Sequence, residues 1–219
     1  MTAPRRPPTG RQPRAERTRD AVIDETVQCI LEEGFAPPSV RHITGRAGVT
    51  WGVVQYHFGD LDGLLMAVVD RGFGELAEAL AELPELDSRW AIARRVGIVV
   101  DTVWAAFSSP VSMAALEILI ATRGVRDAVA NTHLSTLMER LTTLGRHLGE
   151  DLSAPNAAQI GSLIWATLRG LVVAQMVWPT PVDTARERQA LVEVLTAYIA
   201  AGGSTGPSTE SLAAAASSS

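Results

Sequence analysis

The chain has 219 residues and a net charge of −5; 47% of them are hydrophobic, 20% are charged and one is cysteine. This length buries a real core in one large or two small domains, and the composition is that of a folded globular chain. A single cysteine excludes an intrachain disulfide and a cysteine-based metal cage.

The net charge hides its distribution. All 19 basic residues are arginine, and six (Arg5, Arg6, Arg11, Arg14, Arg17, Arg19) lie in the first 19 residues, opposed there only by Glu16. From residue 59 onward acidic residues outnumber arginines. A basic head on an acidic body is the pattern of a chain that meets a polyanion at one end. Residues 1–14, rich in Pro and Arg, are expected to form a disordered arm. No apolar run follows the arginines, so the arm reads as neither a signal peptide nor a twin-arginine export signal. It serves either as a nucleic-acid contact, through Arg14 and Arg17, or as a solubilising tail.

Next come helices. Val22, Thr26 with Val27, Ile30 and Leu31 recur at three and four, and Gly34 stops the run. Cys29 within it reads as a small buried hydrophobe. Ser39 is expected to open a second helix that ends at Gly48, Thr50 to cap a third and Asp60 a fourth. Val40, Ile43 and Ala47 share one face of the second helix; Val54 and Phe58 share one face of the third, with Val49 between. These close a small core against Ile23, Val27, Ile30 and Phe35. Trp51, Gly52, Val53, Gln55, Tyr56 and His57 are left facing outward.

That layout is a helix-turn-helix, whose second helix enters the major groove of DNA. Gly52 lets backbone approach the groove without a Cβ. Trp51 and Val53 offer apolar contacts, for instance to a thymine methyl, and Gln55 pairs with adenine edges or a phosphate. Thr50, Tyr56 and His57 donate to phosphates, as does Ser39 at its own helix start.

Residues 18–71 resemble the DNA-binding region of the tetracycline-repressor (TetR) family of bacterial transcription regulators. The resemblance is carried by "EEGF" closing the first helix, by "SVRHITGRAGVTWGVVQYHFGDLDGLL" across the motif, and by the helix running on from Asp60. Two positions depart from the family pattern: Leu61 stands where a phosphate-binding lysine is usual, and Gln55 where tyrosine is frequent. The resemblance implies an all-α fold of about nine helices, a three-helix helix-turn-helix domain followed by an orthogonal helical bundle. It implies boundaries at 15–60 for the DNA-binding domain and 61–202 for a ligand-binding and dimerisation domain. The partners implied are double-stranded operator DNA, a second copy of the chain and a small-molecule effector, with no cofactor, no metal, no membrane and a cytoplasmic location. Repression is the family's default.

Further helices are expected at 61–82, 88–107, 111–122, 125–150, 155–178 and 183–201, punctuated by Pro84, Pro110, Pro155, Pro179 and Pro181. Trp104, Phe107, Met113, Glu117, Met138, Trp165 and Arg169 are candidate effector contacts; each apolar one is equally open to a close-packed core role. Glu117 and Arg169 interrupt apolar stretches, so each needs a partner: one another, a ligand or the second subunit. "IGSLIWATLRGLVVAQMVW", 160–178, is long enough to span a membrane, but Arg169 at its centre would cost roughly 2.5–3.5 kcal/mol there. It is expected to be a buried helix. Gly161, Gly170 and Ala174 form a small-residue stripe which, with Leu195 and Tyr198, serves the family's dimer interface or the intrachain core. Residues 203–219 read as a flexible low-complexity tail.

No phosphate-cradling loop, nucleophile elbow or HExxH segment points to an enzyme. The remaining alternative is a helical interaction scaffold or ligand-binding protein without sequence-specific DNA binding, which the departures at Gln55 and Leu61 keep open.

Overall fold

The computed structural model describes residues 12–34, 40–178, 180 and 182–203. Among these residues there are nine helices and no strand: α1 (Gln12–Glu33), α2 (Val40–Arg46), α3 (Trp51–Phe58), α4 (Leu61–Ala81), α5 (Ile92–Phe107), α6 (Pro110–Ala121), α7 (Ala128–Asp151), α8 (Ala157–Val177) and α9 (Ala185–Ala200). Each expected helix is present within a few residues. α1 starts earlier than the apolar periodicity does, so residues 12–14, expected in the arm, are already helical. Ser39 and Phe35 lie outside the described residues.

The chain forms two compact units, Met1–Leu76 with Ser108–His133, and Ala77–Phe107 with Leu134–Ser219. The first unit therefore holds α1 to α3, most of α4, and α6. Val22, Ile23, Val27 and Ile30 of α1, Ile43 of α2 and Val54 of α3 are buried, as the sequence pattern requires, and Leu64, Val68 and Ile118 are buried in α4 and α6. Arg71 of α4 bonds Asp20 (2.7 Å) and Asp24 of α1, which fastens these two helices. Gly72 lets α6 come close: a Cβ there would stand 3.3 Å from that of Ala115.

Two glycines shape the ends of α3. Gly48, at φ +63°, makes the turn before it, and Gly59, at φ +81°, closes it. Asp60 then caps α4 by accepting from the Gly63 N–H at 2.7 Å. At Gly63 the chain is so tightly folded that a Cβ would lie 2.0 Å from the carbonyl oxygen of Phe58.

The second unit packs α5 against α8 and α9. Val96, Val99, Val100 and Val103 of α5, Ile164, Leu168 and Val172 of α8, and Leu191, Leu195 and Ile199 of α9 are buried. α7 meets α8 along a glycine seam. A Cβ on Gly161 would lie 2.0 Å from the Gly145 carbonyl oxygen, and one on Gly149 2.2 Å from that of Ala157. One charged residue is buried here: Arg95, 5% exposed, donates to the Leu152 carbonyl just beyond the end of α7 at 3.2 Å. A cation at that end favours the α7 dipole and satisfies one of its carbonyls.

α8 differs from expectation. It is long and apolar enough to cross a membrane, with a mean hydropathy of 1.5, yet only 33% of its most apolar stretch is buried. One face is core (Ile160, Gly161, Ile164, Trp165, Leu168, Val172), while Leu163, Ala166, Gly170 and Val177 are exposed.

Candidate nucleic-acid interface and ligand groove

α3 is anchored by Val54, which is fully buried, and opened by Thr50 in extended backbone (φ −90°, ψ 159°). Around that anchor the outward residues separate. Trp51 is 38% exposed and Tyr56 81%, and Gly52 and Gln55 are exposed; Val53 and His57 are only half-buried, which corrects the expectation that both face fully outward. The His57 ring sits edge-on to Tyr56, centroids 5.0 Å apart, and so steadies the most exposed aromatic of the helix. Phe58 is half-buried and lies under the Arg19 guanidinium at 5.4 Å. Arg14 and Arg17 are exposed on α1. Leu61 is half-buried.

Gly52 is informative. A Cβ there would meet one atom only, Thr50 Oγ1 at an ordinary 3.8 Å. Nothing in the fold asks for glycine at this position in the first turn of α3.

The rest of α2 is tied to α1. Arg46 bonds Glu25 (3.2 Å) and Glu32 (2.5 Å), and the guanidinium holds the Glu32 carboxyl below the usual carboxylate range. His42 Nε2 lies 2.7 Å from Glu33 Oε1. Arg41 is exposed and, with His42, Gly45 and Arg46, borders an open depression of about 420 Å³. Cys29 is fully buried, as expected, and burial pushes its thiol pKa up.

The candidate effector residues do not all meet. In the second unit an open groove of about 430 Å³ runs between α7 and α8, with Met138, Leu141, Thr142, Trp165 and Arg169 on its walls. Trp165 is 3% exposed; its indole N–H donates to the Leu141 carbonyl at 3.0 Å and its ring takes Phe107 edge-on at 5.6 Å. Gly145 permits this bond, since a Cβ there would lie 2.3 Å from Trp165 Nε1. Arg169, half-buried, has no ion pair among the described residues. Trp104 lies apart from the groove walls, half-buried beneath the Arg188 guanidinium, which also bonds Asp101 at 3.3 Å. Met113 and Glu117 sit half-buried on α6, in the first unit.

The dimer candidates also separate. Leu195 is fully buried and Gly161 is closed off by α7, so both serve intrachain packing. Gly170 is exposed with open space around it, Ala174 is half-buried, and the half-buried Tyr198 hydroxyl accepts from Asn156 Nδ2 at 3.2 Å. Burial of Arg95, an arginine with no sequence signal to distinguish it from a surface one, was not legible in the pattern.

No protein-family model matches the chain. Among curated proteins it is 27% identical, over 92% of its length and 98% of the relative's, to the HTH-type transcriptional regulator BetI 1 of Chromohalobacter salexigens. It is 43% identical over 63 residues to BetI of Stenotrophomonas maltophilia, a match that spans about a third (32%) of that protein. Among solved structures it superposes on a regulatory protein in the TetR family from Rhodococcus RHA1, with a TM-score of 0.62 at 14% identity over 83% of this chain and 96% of that one. A second solved structure, the multidrug binding protein EbrR complexed with imidazole, gives a TM-score of 0.59 at 23% identity, covering 95% of this chain and 100% of that one. The chain therefore has the fold of TetR-family regulators, and the relatives it resembles in sequence are HTH-type transcriptional regulators.

Proposed function

We propose that this chain is a cytoplasmic, ligand-responsive transcriptional repressor of the TetR family. It binds a palindromic operator as a homodimer and leaves it when a small apolar or aromatic molecule binds. The observation that carries the reading is Gly52: a glycine the fold does not need, beside exposed Trp51 and Tyr56 on a helix held by one buried valine. A Cβ-free backbone beside aromatic and amide groups suits close approach to base edges, with Thr50, Tyr56, Arg14 and Arg17 on phosphates.

The open face of α8 supports the homodimer. Leu163, Ala166, Gly170 and Val177 are exposed there, and Ala190, Val194 and Ala197 are exposed on α9. Apolar surface of this kind marks an interaction site, and small residues permit close helix approach. In such a dimer the two α3 helices read half-sites about 34–36 Å apart. The effector seat is the α7–α8 groove, where Met138 and the edge of Trp165 suit an apolar body and Arg169 an acidic substituent. By linkage, an effector that lowers operator affinity binds the DNA-bound dimer more weakly by the same factor.

A gel-shift titration over a salt series against operator selected by genomic footprinting tests this. Site preference should survive while affinity falls steeply with salt. Loss of all preference at every salt concentration leaves the scaffold reading in its place.

A further inference from the structure

The first unit carries a cluster that the DNA-binding reading does not use. Cys29 and Glu33 are four residues apart, so they lie on one face of α1, one turn apart. His42 of α2 faces them. The Cys29 thiol, a Glu33 carboxylate oxygen and a His42 ring nitrogen all lie within 4.8 Å of one another. We propose that Cys29, Glu33 and His42 form a site for a zinc-class divalent transition metal that staples α1 to α2.

The donor set argues for that class. A thiolate, an imidazole and a carboxylate are the three ligand types zinc accepts, at about 2.3 Å for sulfur and about 2.0–2.2 Å for nitrogen and oxygen. Calcium and magnesium take oxygen donors and have no use for the sulfur. Three protein ligands leave a fourth position for water, and Glu33 and His42 face solvent, which supplies the entry path. Tetrahedral bonds of those lengths separate neighbouring ligand atoms by about 3.3–3.6 Å. The present 2.7 Å contact between His42 and Glu33 therefore opens slightly as the ion enters, and both side chains are more than 40% exposed. Cys29 supplies the inner donor from the core and gives up its thiol proton to solvent on coordination. The nearby Arg46 charge is already matched by Glu25 and Glu32, so it does not stand as an unopposed cation beside the ion.

The consequence is a head whose rigidity depends on metal. α2 leads directly into the turn and α3, so fixing it to α1 fixes the platform of the recognition helix.

The test uses the reduced full-length chain freed of metal by chelator and then titrated with Zn²⁺ or Co²⁺. Wild type should bind one ion per chain, show a thiolate-to-cobalt charge-transfer band, and melt a few degrees higher with zinc. Cys29→Ala should abolish the band and weaken zinc at least tenfold. His42→Ala, at an exposed position that leaves the core intact, should also weaken zinc at least tenfold. Absence of zinc binding by wild type, a cobalt complex without the thiolate band, or unchanged zinc affinity in either variant overturns the proposal. None of these outcomes depends on operator binding, so this result and the repressor reading stand or fall separately.

Discussion

Glycine plays opposite roles along the α7–α8 seam and on α3. Along the α7–α8 seam, Gly145, Gly149 and Gly161 are demanded from within: each missing side chain would overlap an atom of the neighbouring helix or its lead-in. On α3, Gly52 is surrounded by open space, and its own fold would accept alanine. A glycine that packing requires reports on the chain itself. One that packing ignores is open to a role outside the chain; Gly45, Gly74, Gly97 and Gly170 are equally unconstrained, and Gly52 stands apart because exposed Trp51 and Tyr56 share its helix.

The contrast is sharpest where it can be broken. Gly161→Ala should have the largest effect, about 3 kcal/mol or more of stability, because overpacking against backbone has no flexible side chain to yield; urea unfolding measures it. Any folded fraction should keep its operator affinity. Gly52→Ala should act in reverse, raising stability by about 0.5–1 kcal/mol while weakening operator binding at least tenfold, read by gel shift beside thermal unfolding. Should Gly52→Ala bind operator as well as wild type, the contrast loses its functional half. Arg71→Ala should cost about 1 kcal/mol, since two partly exposed pairs join α1 to α4, and high salt should shrink the difference. Smallest is Asp87→Asn. Hydrogen bonds from the Arg89 side chain and backbone hold the Asp87 carboxyl below its ordinary value. Its contribution is therefore present above the ordinary carboxylate range and lost as pH falls through the lowered folded value. The variant should be slightly less stable than wild type near neutrality and converge with it in acid, which flattens the acid limb of the stability–pH curve.

Much of the head was legible in the sequence because its signals are local. Gly48 and Asp60 mark the turn and the α4 cap, Thr50 stands at the start of α3 without a side-chain capping bond, and Ile43 and Val54 follow helical spacing into the core. The start of α1 escaped because a polar, exposed helical turn carries no apolar period. Periodicity assigns a residue to a face but cannot say which neighbour that face meets. Gly161 and Gly170 both read as small residues on α8, yet one is pressed onto α7 and the other lies open. Leu195 went to the core for the same reason. Met113 and Glu117 lie on α6 in the first unit, and Trp165 and Arg169 on α8 in the second, a division that sequence spacing does not encode. The Cys29–Glu33–His42 cluster needed the α1–α2 packing to bring His42 to the other two.

The crowded corner at Gly63 has a mechanical consequence. With the Phe58 carbonyl pressed where any side chain would begin, the joint between α3 and α4 admits no residue larger than glycine. In the repressor proposed above, a tilt of the fourth helix is then expected to carry the third with it, like a key cut in one piece with its handle, and a signal that reaches α4 would need no separate hinge to lift the reading helix from its groove.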